Sequence, residues 1–213
     1  DLEEIPIGLV TRIAGKRLYY GSFVGRSSHA GPTPLELRQD AFLGLADFAL
    51  RSTRMVASQY EDGRLTIGRV QVHPGAFSIV PGQVDFTLDL RYPEKEKLKE
   101  MEKKVLALAE EIASTRGLTF HYRLVDSTEP TDMSAQLISL LEEEAKHLHY
   151  PYLKMVSWAG HDAQILAQIT ESALIFIPSP DGLSHSPEET IRWEDLEKGA
   201  NLLLQTMMKL ARI

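Results

Sequence analysis

Apolar and polar residues alternate strictly from Val84 to Arg91. Val84, Phe86, Leu88 and Leu90 interleave with Asp85, Thr87, Asp89 and Arg91. A period of two predicts a strand with one core face and one polar face. Leu18–Val24, Leu65–Val72 and Leu118–Val125 read as further strands. Two helices fall between them, Glu36–Tyr60 and Glu94–Thr115. The second helix places Leu98, Met101, Val105, Leu108 and Ile112 at helical spacing, so it is a one-sided surface helix. The first carries two apolar stripes, one of Phe42, Leu45, Ala46 and Ala49, the other of Leu43, Leu50 and Ala57. A helix apolar on two sides usually has two partners: its own sheet, and either another subunit or a neighbouring domain.

The order β-α-β-β-α-β is the split ferredoxin-like arrangement. The pattern changes character near Thr128–Asp132. A helix over Ala135–His149 follows, then an apolar strand at Leu153–Ser157, a helix over Ala163–Ile169 and a strand at Ala173–Ile177. Trp193–Ala211 closes the chain as a helix, and Ile7–Val10 adds a short strand near its start. Strand, helix, strand over 153–177 predicts a parallel crossover, with the loops after both strands opening at one sheet edge. Ligands gather at such an edge. The expected fold class is α/β, with a ferredoxin-like unit at 17–128 inserted in a partial α/β domain made of 1–16 and 129–213. Two or three strands and three helices are too little to cover a parallel sheet, so an apolar edge or face is expected to remain exposed.

Composition narrows the class. The chain has 213 residues, 43% hydrophobic and 25% charged, as in ordinary globular proteins. It has no apolar run long enough to cross a membrane as a helix. Without cysteine it has no disulfide framework and no thiolate metal site. These features fit a cytoplasmic protein. A net charge of −7 argues against nonspecific nucleic-acid binding but leaves a small anionic substrate open.

Three histidines lie in loops rich in Gly, Ser and Pro. His29 sits in Gly25–Pro34, His161 in Trp158-Ala159-Gly160-His161-Asp162, and His185 in Gly182-Leu183-Ser184-His185-Ser186-Pro187-Glu188-Glu189. Arg91 ends the alternating strand on its polar face, where it can clamp a carboxylate or simply pair with Asp89. Ser78 lies in the turn-rich Pro74–Gly82 connection. Catalytic zinc normally takes about three protein ligands plus water. There is no His-x-Asp and no His-Glu-x-x-His, and His147 and His149 do not share a helix face. A nucleophile elbow and a phosphate loop are also absent.

Taken together, His29-Ala30-Gly31 with Thr33-Pro34 and Arg38-x-Asp40-Ala41, Asp89-Leu90-Arg91, Ala159–Ala163 and Gly182–Glu189 resemble the amidase/hydantoinase/carbamoylase family. That family consists of di-metal hydrolases within the zinc aminoacylase and carboxypeptidase superfamily. The resemblance runs from Ile7 to the C-terminus, and four motifs in order are specific where one would be weak. It implies that His185 ligates one ion of a divalent pair (Zn, Mn, Co or Ni). It implies that His161, Arg91 and Ser78 bind substrate, with Arg91 on its carboxylate. His29 would reach into a partner subunit's active site and polarise the carbonyl that becomes an oxyanion. The implied substrates are N-carbamoyl (ureido) L-amino acids or allantoate-like acids, and the implied assembly is a homodimer through a lid at 17–128.

The sequence departs from the family in three places. Ser78 stands where relatives usually carry Asn, and Trp158 stands where Gly is usual. The family's His-x-Asp strand, Glu pair and further His fall upstream of Asp1; Glu3-Glu4 comes after that region and is not the pair. The chain is therefore expected to be a lid plus the C-terminal part of a catalytic domain, inactive alone. A non-catalytic dimerisation or binding module, and an aminoacylase or dipeptidase of the same superfamily, stay open as alternatives.

Overall fold

The computed structural model describes residues 5–182 and 185–211. Glu3 and Glu4, and Leu183 and Ser184 of the His185 motif, lie outside the described residues. The chain forms two compact units, one of residues 15–130 and one of the segments on either side. It enters through β1 (Ile7–Ile13) and passes into the inserted unit. There β2 (Gly15–Val24), β3 (Ser28–His29), α1 (Ala41–Gln59), β4 (Arg64–His73), β5 (Ile79–Val80), β6 (Gln83–Tyr92), α2 (Lys95–Thr115) and β7 (Thr119–Thr128) follow. The flanking unit resumes with β8 (Thr131–Asp132), α3 (Ala135–His147), β9 (Tyr152–Ser157), α4 (Asp162–Leu166), β10 (Leu174–Phe176) and α5 (Trp193–Ala211).

In the inserted unit the sheet order is β4-β6-β2-β7, all antiparallel, which is the ferredoxin-like topology. β2 and β6 pair without a break from Gly15↔Tyr92 to Val24↔Gln83. The alternation along β6 holds as read: Val84, Phe86, Leu88 and Leu90 are buried and the intervening residues are not. Leu98, Met101, Val105 and Ile112 of α2 are buried in the same core. Phe23 anchors it, with ring centroids 5.8 Å from Phe86, 5.1 Å from Phe120 and 6.0 Å from Phe48. A Cβ on Gly21 would fall 2.5 Å from the Phe86 ring, so only glycine lets that ring cross β2.

α1 starts five residues later than its apolar pattern suggests, because Asp40 caps it. The Asp40 carboxylate accepts from the amides of Phe42 (3.0 Å) and Leu43 (3.2 Å). Its buried stripe is Ala41, Gly44, Leu45, Phe48, Ser52 and Val56. Phe42, which shares an apolar stripe with Leu45, Ala46 and Ala49, is half-exposed. Leu43, Leu50 and Ala57 also stay exposed.

The flanking unit corrects the crossover. β9 and β10 do not pair with each other. β1 lies between them, parallel to β9 (Ile7↔Tyr152 to Ile13↔Ser157) and antiparallel to β10 (Gly8↔Phe176, Val10↔Leu174). β8 continues the β10 side of β1 (Arg12↔Asp132). The strands before the His161 and His185 loops therefore run in opposite directions and end at opposite ends of β1. The order strand, helix, strand does not by itself fix the direction of the second strand, and here β10 runs antiparallel to the β1 that lies between them. β10 is half-exposed along its length, and Ile165, Leu166 and Ile169 near α4 are exposed. Among the described residues, no helix is long and apolar enough to cross a membrane.

Candidate functional site

His29 and Ser78 are brought together. β3 and β5 form a two-rung antiparallel ladder, Ser28↔Val80 and His29↔Ile79, and the Ala30 amide donates to the Ser78 carbonyl at 2.8 Å. The Gly31 amide donates to Nδ1 of His29 at 3.1 Å. Nδ1 is thus an acceptor, and in the neutral ring the proton resides on Nε2. His29 is exposed, so Nε2–H is a donor presented outward. Arg38 fixes this loop: its guanidinium donates to the Ala30 carbonyl at 2.6 Å and the Thr33 carbonyl at 3.0 Å. The sequence reading noted Arg38 only as part of a motif. Its function is to bind the backbone on both sides of Gly31.

Arg91 is far from that pair. It lies at the Gly15 end of the sheet, where Gly15 pairs with Tyr92, whereas the ladder lies beyond the Gln83 end. Arg91 lies eight residue steps along β6 from Gln83, about 26 Å of strand rise. The Arg91 guanidinium donates to the Asp89 carboxylate at 3.0 Å through Nε and 2.7 Å through Nη2. That hydrogen bond holds its pKa above the ordinary arginine value despite partial burial. Lys16 and Arg64 stand directly across from Arg91 on the two neighbouring strands. Each of the three cations in this cross-strand row is paired with an aspartate: Lys16 with Asp126 at 2.6 Å, Arg64 with Asp62 at 4.0 Å and Arg91 with Asp89 at 2.7 Å.

In the flanking unit, His161 occupies the N-cap position of α4. Its Nε2 lies 3.1 Å from Ser157 Oγ, and its ring centroid lies 5.2 Å from that of Phe176. The Ser157 hydroxyl donates its one proton to the Ala159 carbonyl at 2.8 Å, so toward His161 it only accepts. Nε2 of His161 therefore carries a proton, and in the neutral ring Nδ1 is left as the acceptor. Ser157, buried at the end of β9, orients this ring, and nothing in its sequence context marks it out.

His185 is exposed, with φ +57°, and its amide donates to Glu189 Oε2 at 2.9 Å. The Glu189 amide in turn donates to the Ser186 carbonyl at 3.0 Å. The left-handed backbone at His185 is unusual for a non-glycine residue and is held by this closed loop. Among the described residues, no group of three His, Asp or Glu converges on a point that could hold a metal ion. His185 is one imidazole donor, and a catalytic ion needs about three protein ligands. The described residues do not make a complete metal site.

The chain combines a ferredoxin-like unit carrying His29 with a flanking α/β unit carrying His161 and His185. The chain belongs to peptidase family M20/M25/M40, whose profile matches residues 9–209. It is 37% identical over 213 residues to an N-carbamoyl-L-amino-acid amidohydrolase from Paenarthrobacter aurescens, covering 100% of this chain and 52% of the relative. It is 32% identical over 205 residues to the allantoate amidohydrolase of Escherichia coli strain K12, covering 96% and 50%. A hydantoinase/carbamoylase family amidase from Burkholderia multivorans superposes with a TM-score of 0.92 at 35% identity, over 98% of this chain and 51% of that one. The chain thus spans about half the length of the curated relatives it matches.

Proposed function

We propose that this chain is the lid and C-terminal catalytic portion of a metal-dependent amidohydrolase. The reaction is hydrolysis of the N-carbamoyl group of an L-amino acid or allantoate-like acid. The observation that carries this reading is the ordered set His29, Ser78, Arg91, His161 and His185 within a chain 37% identical along its whole length to an N-carbamoyl-L-amino-acid amidohydrolase.

In this reading Arg91 turns from Asp89 to bind the substrate carboxylate, and His161 donates Nε2–H or accepts at Nδ1 on the bound acid. His29 directs Nε2–H at the ureido oxygen. Water adds to the ureido carbon and the oxygen gains negative charge, which the His29 donor stabilises. The C–N bond to the amino acid then breaks, the amine takes a proton, and the released carbamate decomposes to ammonia and carbon dioxide. His185 would hold one ion of a divalent pair, which would supply Lewis-acid stabilisation of the developing charge. The remaining ligands and the general base are not supplied by the described residues, so no step is assigned through the ions, and the chain alone is inactive.

Separation within one unit supports a homodimer. A ureido acid places its carboxylate and its ureido carbonyl roughly 5 Å apart. Arg91 is too distant from His29 and Ser78, about 26 Å of strand rise, for all three to touch one molecule. His29 and Ser78 of one copy therefore act on substrate held by Arg91 of another. The exposed Leu43, Leu50 and Phe42 of α1 give such a dimer an apolar surface to bury.

The test is a substrate panel run on the catalytically competent protein that carries this chain, with Mn²⁺ or Zn²⁺ supplied. N-carbamoyl acids should be turned over well above the matching N-acyl acids and dipeptides. Preference for N-acyl acids or dipeptides would overturn the assignment. Turnover by this chain alone would overturn its inactivity.

A further inference from the structure

Phe77 is fully exposed, the most exposed large apolar side chain among the described residues. It is not on a loose segment. Ser78 follows it at φ +63° and Gly75 precedes it at φ +67°, so the turn is tightly bent. The turn is held by the Ala30 amide on the Ser78 carbonyl and by the β3–β5 ladder. A side chain presented this way contributes nothing to its own core, and its apolar surface is available to something else.

The surroundings define what that is. Phe77 borders a concavity of about 520 Å³ with Phe42, Val72, Ala76, Ile79 and Pro81. No lining side chain is charged or polar. The same turn carries Ser78, one residue on, and its ladder partner strand carries His29. In an N-carbamoyl amino acid the side chain leaves the carbon next to the ureido nitrogen. A residue adjacent to the groups that meet the ureido end is within reach of that side chain, because consecutive Cα atoms are only about 3.8 Å apart.

We propose that Phe77 is a specificity-determining residue. It contacts the substrate side chain in the active site of a second copy of this chain, and it selects N-carbamoyl acids with apolar side chains over glycine-like and polar ones such as allantoate. This rests on the reading in which His29 and Ser78 act on substrate held by another copy.

Two measurements on the catalytically competent protein test it. The first is the ratio of kcat/KM for N-carbamoyl-leucine and N-carbamoyl-phenylalanine to that for N-carbamoyl-glycine. Phe77→Ala should lower this ratio about tenfold or more, the scale of lost apolar contacts in a pocket, and Phe77→Leu should keep most of it. Because Phe77 touches no core, both variants should melt as the wild type does. A uniform loss across the panel, or an unchanged ratio, overturns the proposal while leaving the ureido reaction in place. Absence of any ureido turnover by the wild type overturns the reading beneath it, and with it this choice of substrate. The second measurement replaces Phe77 with photoreactive p-benzoylphenylalanine. Irradiation should yield a covalent dimer, and N-carbamoyl-leucine should suppress that crosslink. Crosslinking confined to one chain places Phe77 outside the second copy's site and overturns the proposal.

Discussion

The Gly31 amide donates to Nδ1 of His29 at 3.1 Å, and this one contact fixes which nitrogen of the ring carries the proton. His29 thereby offers Nε2–H outward while its other nitrogen is occupied. In the catalytically competent protein, His29→Ala should lower kcat about 10²- to 10³-fold, the usual cost of losing one oxyanion donor. His29→Gln, which retains an N–H at similar reach, should lose less. Steady-state kinetics decide it, and equal losses in the two variants would count against a donor role.

Arg91 and His29 lie near opposite ends of the same sheet, so they should complement between protomers. Arg91→Ala and His29→Ala should each be nearly inactive as homodimers. Mixed in equal amounts with subunit exchange, half of the dimers are hybrid and each hybrid has one intact site, so about a quarter of wild-type activity should return. No recovery on mixing would mean that both residues serve the same protomer's site.

Arg38 holds the His29 loop through the Ala30 and Thr33 carbonyls. Hydrogen bonds from a charged donor are each worth about 1.5–3 kcal/mol, less where solvent competes. Arg38→Ala should destabilise the inserted unit by about 1–3 kcal/mol and broaden the NMR signals of Ala30 and Gly31. Denaturant unfolding and amide line widths check both. An unchanged midpoint with sharp loop signals would show that Arg38 is dispensable.

Ser157 accepts from Nε2 of His161 while donating to the Ala159 carbonyl. Ser157→Ala removes a hydrogen bond worth about 0.5–1.5 kcal/mol. If that orientation serves substrate binding, KM should rise roughly two- to tenfold with kcat little changed. Kinetics in the competent protein test it, and a fall in kcat at constant KM would assign His161 to the chemical step.

Tyr19 is buried, and its hydroxyl donates to the Glu102 carboxylate. Burial first, and the Glu102 hydrogen bond next, push its pKa far above the ordinary phenol value. A raised folded-state pKa gives stability that is fully present below the unfolded value, about 10. It is lost as pH rises above that toward the folded value. Wild type should therefore lose stability steeply above pH 10, and Tyr19→Phe less steeply. Ultraviolet titration of phenolate should show one fewer tyrosine ionising only on unfolding in the variant. Identical base limbs would contradict the assignment.

The strictly alternating Val84–Arg91 and the striped Leu98–Ile112 were legible because one buried face forces a period of 2 or 3.6 on the sequence. The motif residues were legible as a set only because four motifs in order resemble those of a known family; singly, each reads as an ordinary loop or strand-end residue. The β3–β5 ladder was not legible, because two-residue strands carry no period. The pairing of β9 and β10 with β1 was not legible either, because an apolar run does not name its neighbour. Ser157 looked like any strand-end serine, and Phe77 like any turn residue.

By itself the sequence determined the long strands and helices, that the inserted unit is ferredoxin-like and, through its resemblance to a known family, which five side chains form the candidate set. The elements follow from local periodicity, which a chain expresses without knowing its contacts; the five side chains follow from motifs that resemble a known family. Only the tertiary structure decided that His29 and Ser78 share one turn-and-ladder while Arg91 lies at the far end of β6, and that the strands before His161 and His185 run in opposite directions. Those outcomes depend on strand register and on which long-range neighbours win, and residues distant in sequence determine them only when the core closes.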